Sequence, residues 1–183
     1  MVDVCTGSGA LAVAAAQASA TSVTAVDVSW RAVISARINA RLNGVRVRTR
    51  RGNLLDAVPG ERFDLIASNP PYLPADDDAL PASGPARHID AGVDGRLLLD
   101  RLIAQAPEHL RPGGVLLVTH SSLNDDEKTC ELMRAAGLEP RVLERRRGPL
   151  GPLLSGRAPQ LEAKGLLAPG EREEDILIVA GTA

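Results

Sequence analysis

The chain has 183 residues, enough for one domain with a sizeable core. Hydrophobic residues make up 44% but aromatic ones only 2%, so that core must be built from Ala, Val, Leu and Ile. With 21 basic against 23 acidic residues, the net charge of −2 excludes a global attraction to nucleic acid or membrane and leaves only a local patch for such contacts. Cys5 and Cys130 lie far apart in unrelated settings, which indicates neither a disulfide framework nor a metal site. No apolar run approaches membrane-spanning length and no secretory signal precedes the first motif, so a cytoplasmic location is expected.

Short β-branched runs alternate with longer helical patterns, which predicts a parallel sheet with helices on both faces. A first strand, Val2 to Cys5, leads into the turn Cys5-Thr6-Gly7-Ser8-Gly9 and a helix from Ala10 to Ser19. Gly7 and Gly9 allow the backbone to approach a ligand, towards which the helix would point its free N–H groups. Gly7 to Ala12 also matches G-x-G-x-x-A, and Asp27 follows the second strand, Val23 to Val26, near the spacing of a ribose-binding acid. Turn and acid alone therefore fit a nicotinamide dehydrogenase as well as a methyltransferase. Asp3 favours the second, because it occupies a strand position where a dinucleotide fold normally has an apolar residue and where an acid could meet a positively charged amino group.

Ser29 suits the N-cap of a helix from Trp30 to Leu42, which Gly44 ends. The third strand, Val45 to Thr49, alternates Val with Arg, as an edge strand does. Gly52-Asn53-Leu54-Leu55 then lies at the level of an adenine edge, from whose amino group Asn53 can accept. The fourth strand, Phe63 to Ala67, delivers Asn69-Pro70-Pro71-Tyr72. The Asn69 side-chain oxygen and the Pro70 carbonyl can each accept one N–H of a planar NH2 group, and Tyr72 offers a flat face. Hydride transfer has no use for such a motif. Leu73 to Val93 lacks periodicity and reads as a substrate loop.

Beyond it come a helix from Arg96 to Leu110 capped by Asp94, a strand from Gly114 to Thr119, and a helix from Asp125 to Ala136 capped by Asn124 and stopped by Gly137. A short strand, Arg141 to Glu144, and a final strand, Asp175 to Ala180, flank the Gly/Pro-rich stretch Gly148 to Glu171, which reads as a second long loop. His88 and His120 are possible bases by type, but surface or packing roles are assigned to them because amide methylation needs no strong base. Arg145-Arg146-Arg147, with Arg141, reads as the dense basic run and as a solvated strand end, with contact to RNA or an acidic partner the alternative.

In this order the motifs resemble class I S-adenosylmethionine-dependent methyltransferases, and among them the HemK-type protein-glutamine N5-methyltransferases of the short single-domain kind. The stretches that carry the resemblance are Asp3 to Gly9, Ala25 to Asp27, Gly52 to Leu55, Phe63 to Tyr72, Ala91 to Arg96 and Leu110 to Gly114. Asn-Pro-Pro-Tyr also occurs in adenine-N6 and guanine-N2 methyltransferases, so methylation of an exocyclic base amine is the alternative, although Asp76, Asp77, Asp78 and Asp90 in the loop would repel phosphates. The resemblance implies a three-layer α/β Rossmann-like fold with a seven-stranded sheet in the order 3-2-1-4-5-7-6, the last strand antiparallel. It implies S-adenosyl-L-methionine as cofactor, the glutamine of a release-factor Gly-Gly-Gln motif as substrate, and a small activating partner along the edge strand. The cofactor-binding residues it carries over are Asp3, Cys5, Gly7, Gly9, Asp27, Asn53, Leu54 and Asn69, and the catalytic ones Asn69, Pro70 and Tyr72. Asn53 stands where the family usually has Asp, which predicts weakened adenine binding. Only Met1 and Val2 precede Asp3, whereas family members carry residues that lengthen the first strand and close over the cofactor. The expectation is therefore a single methyltransferase domain over residues 1–183, truncated before its first strand, with an inactive binding module as a third reading.

Overall fold

A computed structural model describes residues 1–79, 81 and 84–183. In chain order the elements are β1 (Val2–Val4), α1 (Ala10–Gln17), β2 (Thr24–Asp27), α2 (Trp30–Leu42), β3 (Arg48–Arg51), β4 (Phe63–Ser68), α3 (Leu97–His109), β5 (Leu110–Ser121), α4 (Asp126–Ala135), β6 (Glu139–Pro149), α5 (Pro152–Ala163) and β7 (Glu173–Thr182). The strands form a seven-stranded sheet in the order β3-β2-β1-β4-β5-β7-β6, as expected. β1 pairs in parallel with β2 and β4, whereas β7 runs antiparallel to both β5 and β6.

Period-two alternation in the central strands sorts side chains to the two faces. Val2 and Val4 of β1 join Val26, Ile66, Leu99, Leu102 and Ile103 in the larger core beneath α3 and α4. On the other face Ala25 meets Ala12 of α1 and Ala36 of α2 in a core made mostly of alanine and valine. This accounts for a chain with almost no aromatic residues: small side chains let α1 and α2 lie close on the sheet.

Three elements depart from the sequence reading. Gly148 to Glu171 is no plain loop, because it contains α5, which buries Leu154, Ala158 and Leu161 against a separate cluster with Leu150 and Leu167. Pro152, Gly156 and Pro159 hide its 3.6-residue period, since proline and glycine normally argue against a helix interior. β6 has 11 residues rather than four, all of them exposed or only partly buried, so it offers no alternation to detect. β3 begins three residues later than expected and pairs Arg48 with Thr24 through Arg51 with Asp27. The caps also shift. Arg96, not Asp94, is the N-cap residue of α3, and Asp125, not Asn124, caps α4 by accepting from the Lys128 N–H at 3.0 Å.

Candidate functional site

The site opens where β1 ends between β2 and β4, the point at which the order of strands reverses and ligands bind in open α/β sheets. The turn after β1 takes left-handed backbone at Cys5 (φ 58°), Gly7 (φ 53°) and Gly9 (φ 84°). Gly9 is the N-cap residue of α1 and has no side chain to cap it; a Cβ there would stand 2.8 Å from the Ala36 Cβ. Asp3 supplies the missing cap from the strand beneath. Its Oδ2 accepts from the Ala12 N–H at 3.0 Å and from the Thr6 hydroxyl at 2.5 Å. Its Oδ1, equally buried, has no partner among the described residues.

Burial therefore outweighs the two hydrogen bonds, and the Asp3 carboxyl is pushed up to about 6. A cationic group beside Oδ1 would reverse that balance. Asp27 anchors the rim, its Oδ2 accepting from the Gly7 N–H at 3.0 Å and its Oδ1 from the Ser29 N–H at 2.8 Å. A carboxylate has about four lone-pair sites, so each oxygen keeps capacity for a ligand hydroxyl. Asn39 of α2 donates to the Ser8 carbonyl at 2.8 Å and holds the turn from outside.

Around this turn lies a cavity of about 320 Å3. Asp3, Cys5, Gly7, Asp27, Asn53, Leu54 and Asn69 all line it, so seven residues distant in sequence converge on one space. Asn53 begins the 3-10 turn Leu54–Ala57, where Leu54 takes φ 49°, and a Cβ on Gly52 would collide with Ala57. Burial pushes the Cys5 thiol up to about 12, so it is a neutral wall group. Gly9, Pro70 and Tyr72 do not line the cavity: Gly9 packs on Ala36, Pro70 is buried, and Tyr72 is half-buried. His88, expected in a surface or packing role, is exposed and lines the cavity from the 3-10 turn Pro85–His88. Only its place in the loop after Tyr72 pointed there. His120, by contrast, is fully buried, with Nδ1 2.9 Å from the Ser121 carbonyl and its pKa lowered by burial.

The other wall of the cavity is built on the end of β4. The Ser68 hydroxyl donates to the Val4 carbonyl at 2.7 Å, which ties the strand that carries Asn69 to the strand that carries Asp3. Asn69 is exposed at the cavity rim. The following loop is closed at its base by the Leu73 N–H to the Ile89 carbonyl (2.9 Å) and the Ala75 N–H to the Gly92 carbonyl (2.8 Å). Arg157 of α5 donates to the Pro74 carbonyl at 2.9 Å and to Asp90 at 2.7 Å, so the unforeseen helix braces this loop. Leu80, Ala82 and Ser83, part of the expected substrate loop, lie outside the described residues.

Two members of the arginine run are paired. Arg145 pairs with Asp126 and Asp175, and Arg147 with Glu171 and Glu173. The denser positive stretch is at the opposite edge, where seven arginines and no acidic residue occur between residues 28 and 55.

Sheet order and cavity define the class: a Rossmann-like methyltransferase fold. Residues 1–82 match the family model described as "Methyltransferase small domain". A protein of Methanocaldococcus jannaschii named as a protein N5-glutamine methyltransferase is 33% identical over 154 residues, covering 84% of this chain and 78% of its own. The release factor glutamine methyltransferase of Bordetella pertussis is 40% identical over 145 residues, covering 75% of this chain. The chain spans about half the length of that bacterial relative, 53%. Among solved structures, a ribosomal protein L11 methylase of Lactobacillus delbrueckii superposes with TM-score 0.60 at 24% identity, covering 97% of this chain and 67% of its own. The E. cuniculi Mtq2–Trm112 complex, responsible for methylation of the eRF1 translation termination factor, gives 0.61 at 20% identity, covering 99% and 82%. The chain belongs to the protein N5-glutamine methyltransferase family. That membership removes the nicotinamide alternative that the glycine turn left open.

Proposed function

We propose that the chain acts as a single methyltransferase domain that moves a methyl group from S-adenosylmethionine to the side-chain amide nitrogen of a protein glutamine, the substrate being a translation release factor in the cytoplasm. The observation that carries this reading is one cavity lined by both the half-satisfied Asp3 carboxylate and the exposed Asn69 amide. The unpartnered Asp3 Oδ1 fits the amino group of the cofactor, and the lone pairs left on Asp27 fit ribose hydroxyls. Asn53 and Leu54 would border the adenine. When bound, the cofactor supplies a methyl group made electrophilic by its sulfonium.

This chain's residues contribute position and exclusion of water. An amide nitrogen is a poor nucleophile, so aiming its lone pair and removing competing solvent must supply most of the acceleration. The Asn69 side-chain oxygen and the Pro70 carbonyl would accept the two substrate N–H protons and thereby hold the group in plane. A neutral Tyr72, its phenol pKa raised by burial and then by Glu174, would pack beside it. Asn69→Ala is expected to abolish methyl transfer while S-adenosylhomocysteine affinity stays within about threefold, because only the substrate side loses its acceptor. Equal loss of both quantities would contradict the role given to Asn69.

A small activating partner fits the exposed β3 edge and the neighbouring line Trp30, Ile34, Ile38 and Leu42 on α2. The acid-free run of seven arginines beside it favours an acidic one. The family relationship to enzymes named for release factors supports the substrate assignment.

A further inference from the structure

The turn Asn69 to Tyr72 faces a mechanical difficulty. Pro70 and Pro71 have no N–H, so the turn cannot close itself through backbone hydrogen bonds at its centre. Acceptors that aim an amide nevertheless have to be held to within a fraction of an ångström. The restraint comes from elsewhere in the chain. Asn124, 1% exposed at the end of the 3-10 turn Ser122–Asn124, donates from Nδ2 to the Tyr72 carbonyl at 2.8 Å and to the Asp94 carbonyl at 3.1 Å. Its Oδ1 accepts from the Ser121 N–H at 3.2 Å. One planar amide thus ties the end of β4, the start of α3 and the end of β5.

Behind it lies Arg96, only 2% exposed. Its Nη1 donates to the Asn124 carbonyl, to the Asp125 carbonyl at 2.9 Å and to Thr129 Oγ1 at 3.0 Å, while Nη2 stands 2.8 Å from Asp100 Oδ1. The Nη1 end of the guanidinium therefore holds the backbone from which Asn124 reaches out, while Nε has no partner among the described residues. Gly95 (φ 71°) leaves the room this needs, because a Cβ there would run into both the Tyr72 carbonyl and the Asn124 amide. No other residue type repeats this pattern at that size: aspartate matches the shape of Asn124 but would turn an acceptor towards two carbonyl oxygens.

We infer that Asn124, held by Arg96, is a positioning residue for methyl transfer: it clamps the Tyr72 carbonyl and so sets the direction of the Asn69 and Pro70 acceptors. The inference rests on the amide-methylation reading for its kinetic consequence, but the clamp itself can be observed without a substrate. Two variants of the full chain test it, Asn124→Asp, which keeps the volume, and Gly95→Ala, which obstructs the clamp from the other side. Isothermal titration with S-adenosylhomocysteine is expected to give affinities within about threefold of the parent, since neither residue lines the cofactor cavity. The kcat for release-factor methylation is expected to fall roughly a hundredfold with KM changed far less, the signature of a misaimed group. Backbone hydrogen exchange at Leu73 and Ala75 is expected to accelerate in both variants. A kcat equal to the parent, or a kcat that falls only in proportion to cofactor affinity, would overturn the positioning role. Unchanged exchange at Leu73 and Ala75 would overturn the clamp even if the parent protein proved not to methylate glutamine, so the two failures are distinguishable.

Discussion

Asp3 is the residue on which the cofactor side turns. Its carboxyl, pushed up to about 6 mainly by burial, keeps a proton in the folded protein that the unfolded chain releases near 3.8. The sign follows: the folded state binds more protons between about pH 4 and 6, so the ligand-free protein loses stability as pH rises through that window, by up to about 3 kcal/mol. A cationic amino group beside Oδ1 recovers that cost, and binding must then favour the ionised form. Affinity for S-adenosylhomocysteine is expected to rise about fivefold from pH 5 to pH 6, about tenfold in all by pH 7, and to level off above that, as measured by titration calorimetry. Asp3→Asn should weaken binding at pH 7.5 by tenfold or more and flatten the profile. A profile that stays steep in Asp3→Asn would assign the titration to another group. Asp3 stood out in the sequence because a charged residue interrupts a strand of valines. Its unpartnered oxygen did not, since which of its atoms finds a donor depends on the helix that starts above it.

At the scale of elements, the glycine turn works through its fit against α2. Gly9 combines φ 84° with a Cβ position 2.8 Å from Ala36, so Gly9→Ala is expected to destabilise the fold by about 2 kcal/mol in urea unfolding. Gly7, with open space around its Cβ position, should cost less when changed to Ala, and equal losses at both positions would refute the packing argument. The alternation of strands and helices through the first half of the chain was legible because three of its four strands, β1, β2 and β4, are central, largely buried and rich in Val, Ile and Ala. β6 escaped because an exposed edge strand is held by its ladder to β7 and not by side-chain burial. α5 escaped because its prolines and glycine mask three well-spaced core residues. The missed helix matters for function, since Arg157 braces the loop that follows Tyr72. Asn124 was read as the N-cap of α4, which Asp125 provides instead; its side chain serves the capping box of the 3-10 turn before α4, and its reach to two carbonyls distant in sequence leaves no local signature.

Across the whole molecule, the sheet order divides the labour of the site. β2 and β1 present Asp27 and Asp3 on one side of the reversal point, and β4 presents Asn69 on the other, so the two sets of residues face one cavity over the end of one sheet. Charge is segregated as well. At the β6 edge Arg145 and Arg147 pair with acids of α4 and of the segment that leads into and begins β7, whereas the α2 and β3 edge keeps its arginines with few acidic neighbours, Arg48 with Glu61 being an ion pair there. The motif order along the chain was enough to anticipate this division, because each motif sits at a strand end and the order of strands does the rest. The decisive measurement is to incubate the protein with S-adenosylmethionine and, in parallel, an intact release factor and RNA, and to map any added methyl group by mass spectrometry. One methyl group is expected on the side-chain nitrogen of the Gly-Gly-Gln glutamine, absent with Asn69→Ala; methylation of RNA bases instead, or of the release factor at another residue type, would contradict the proposed function.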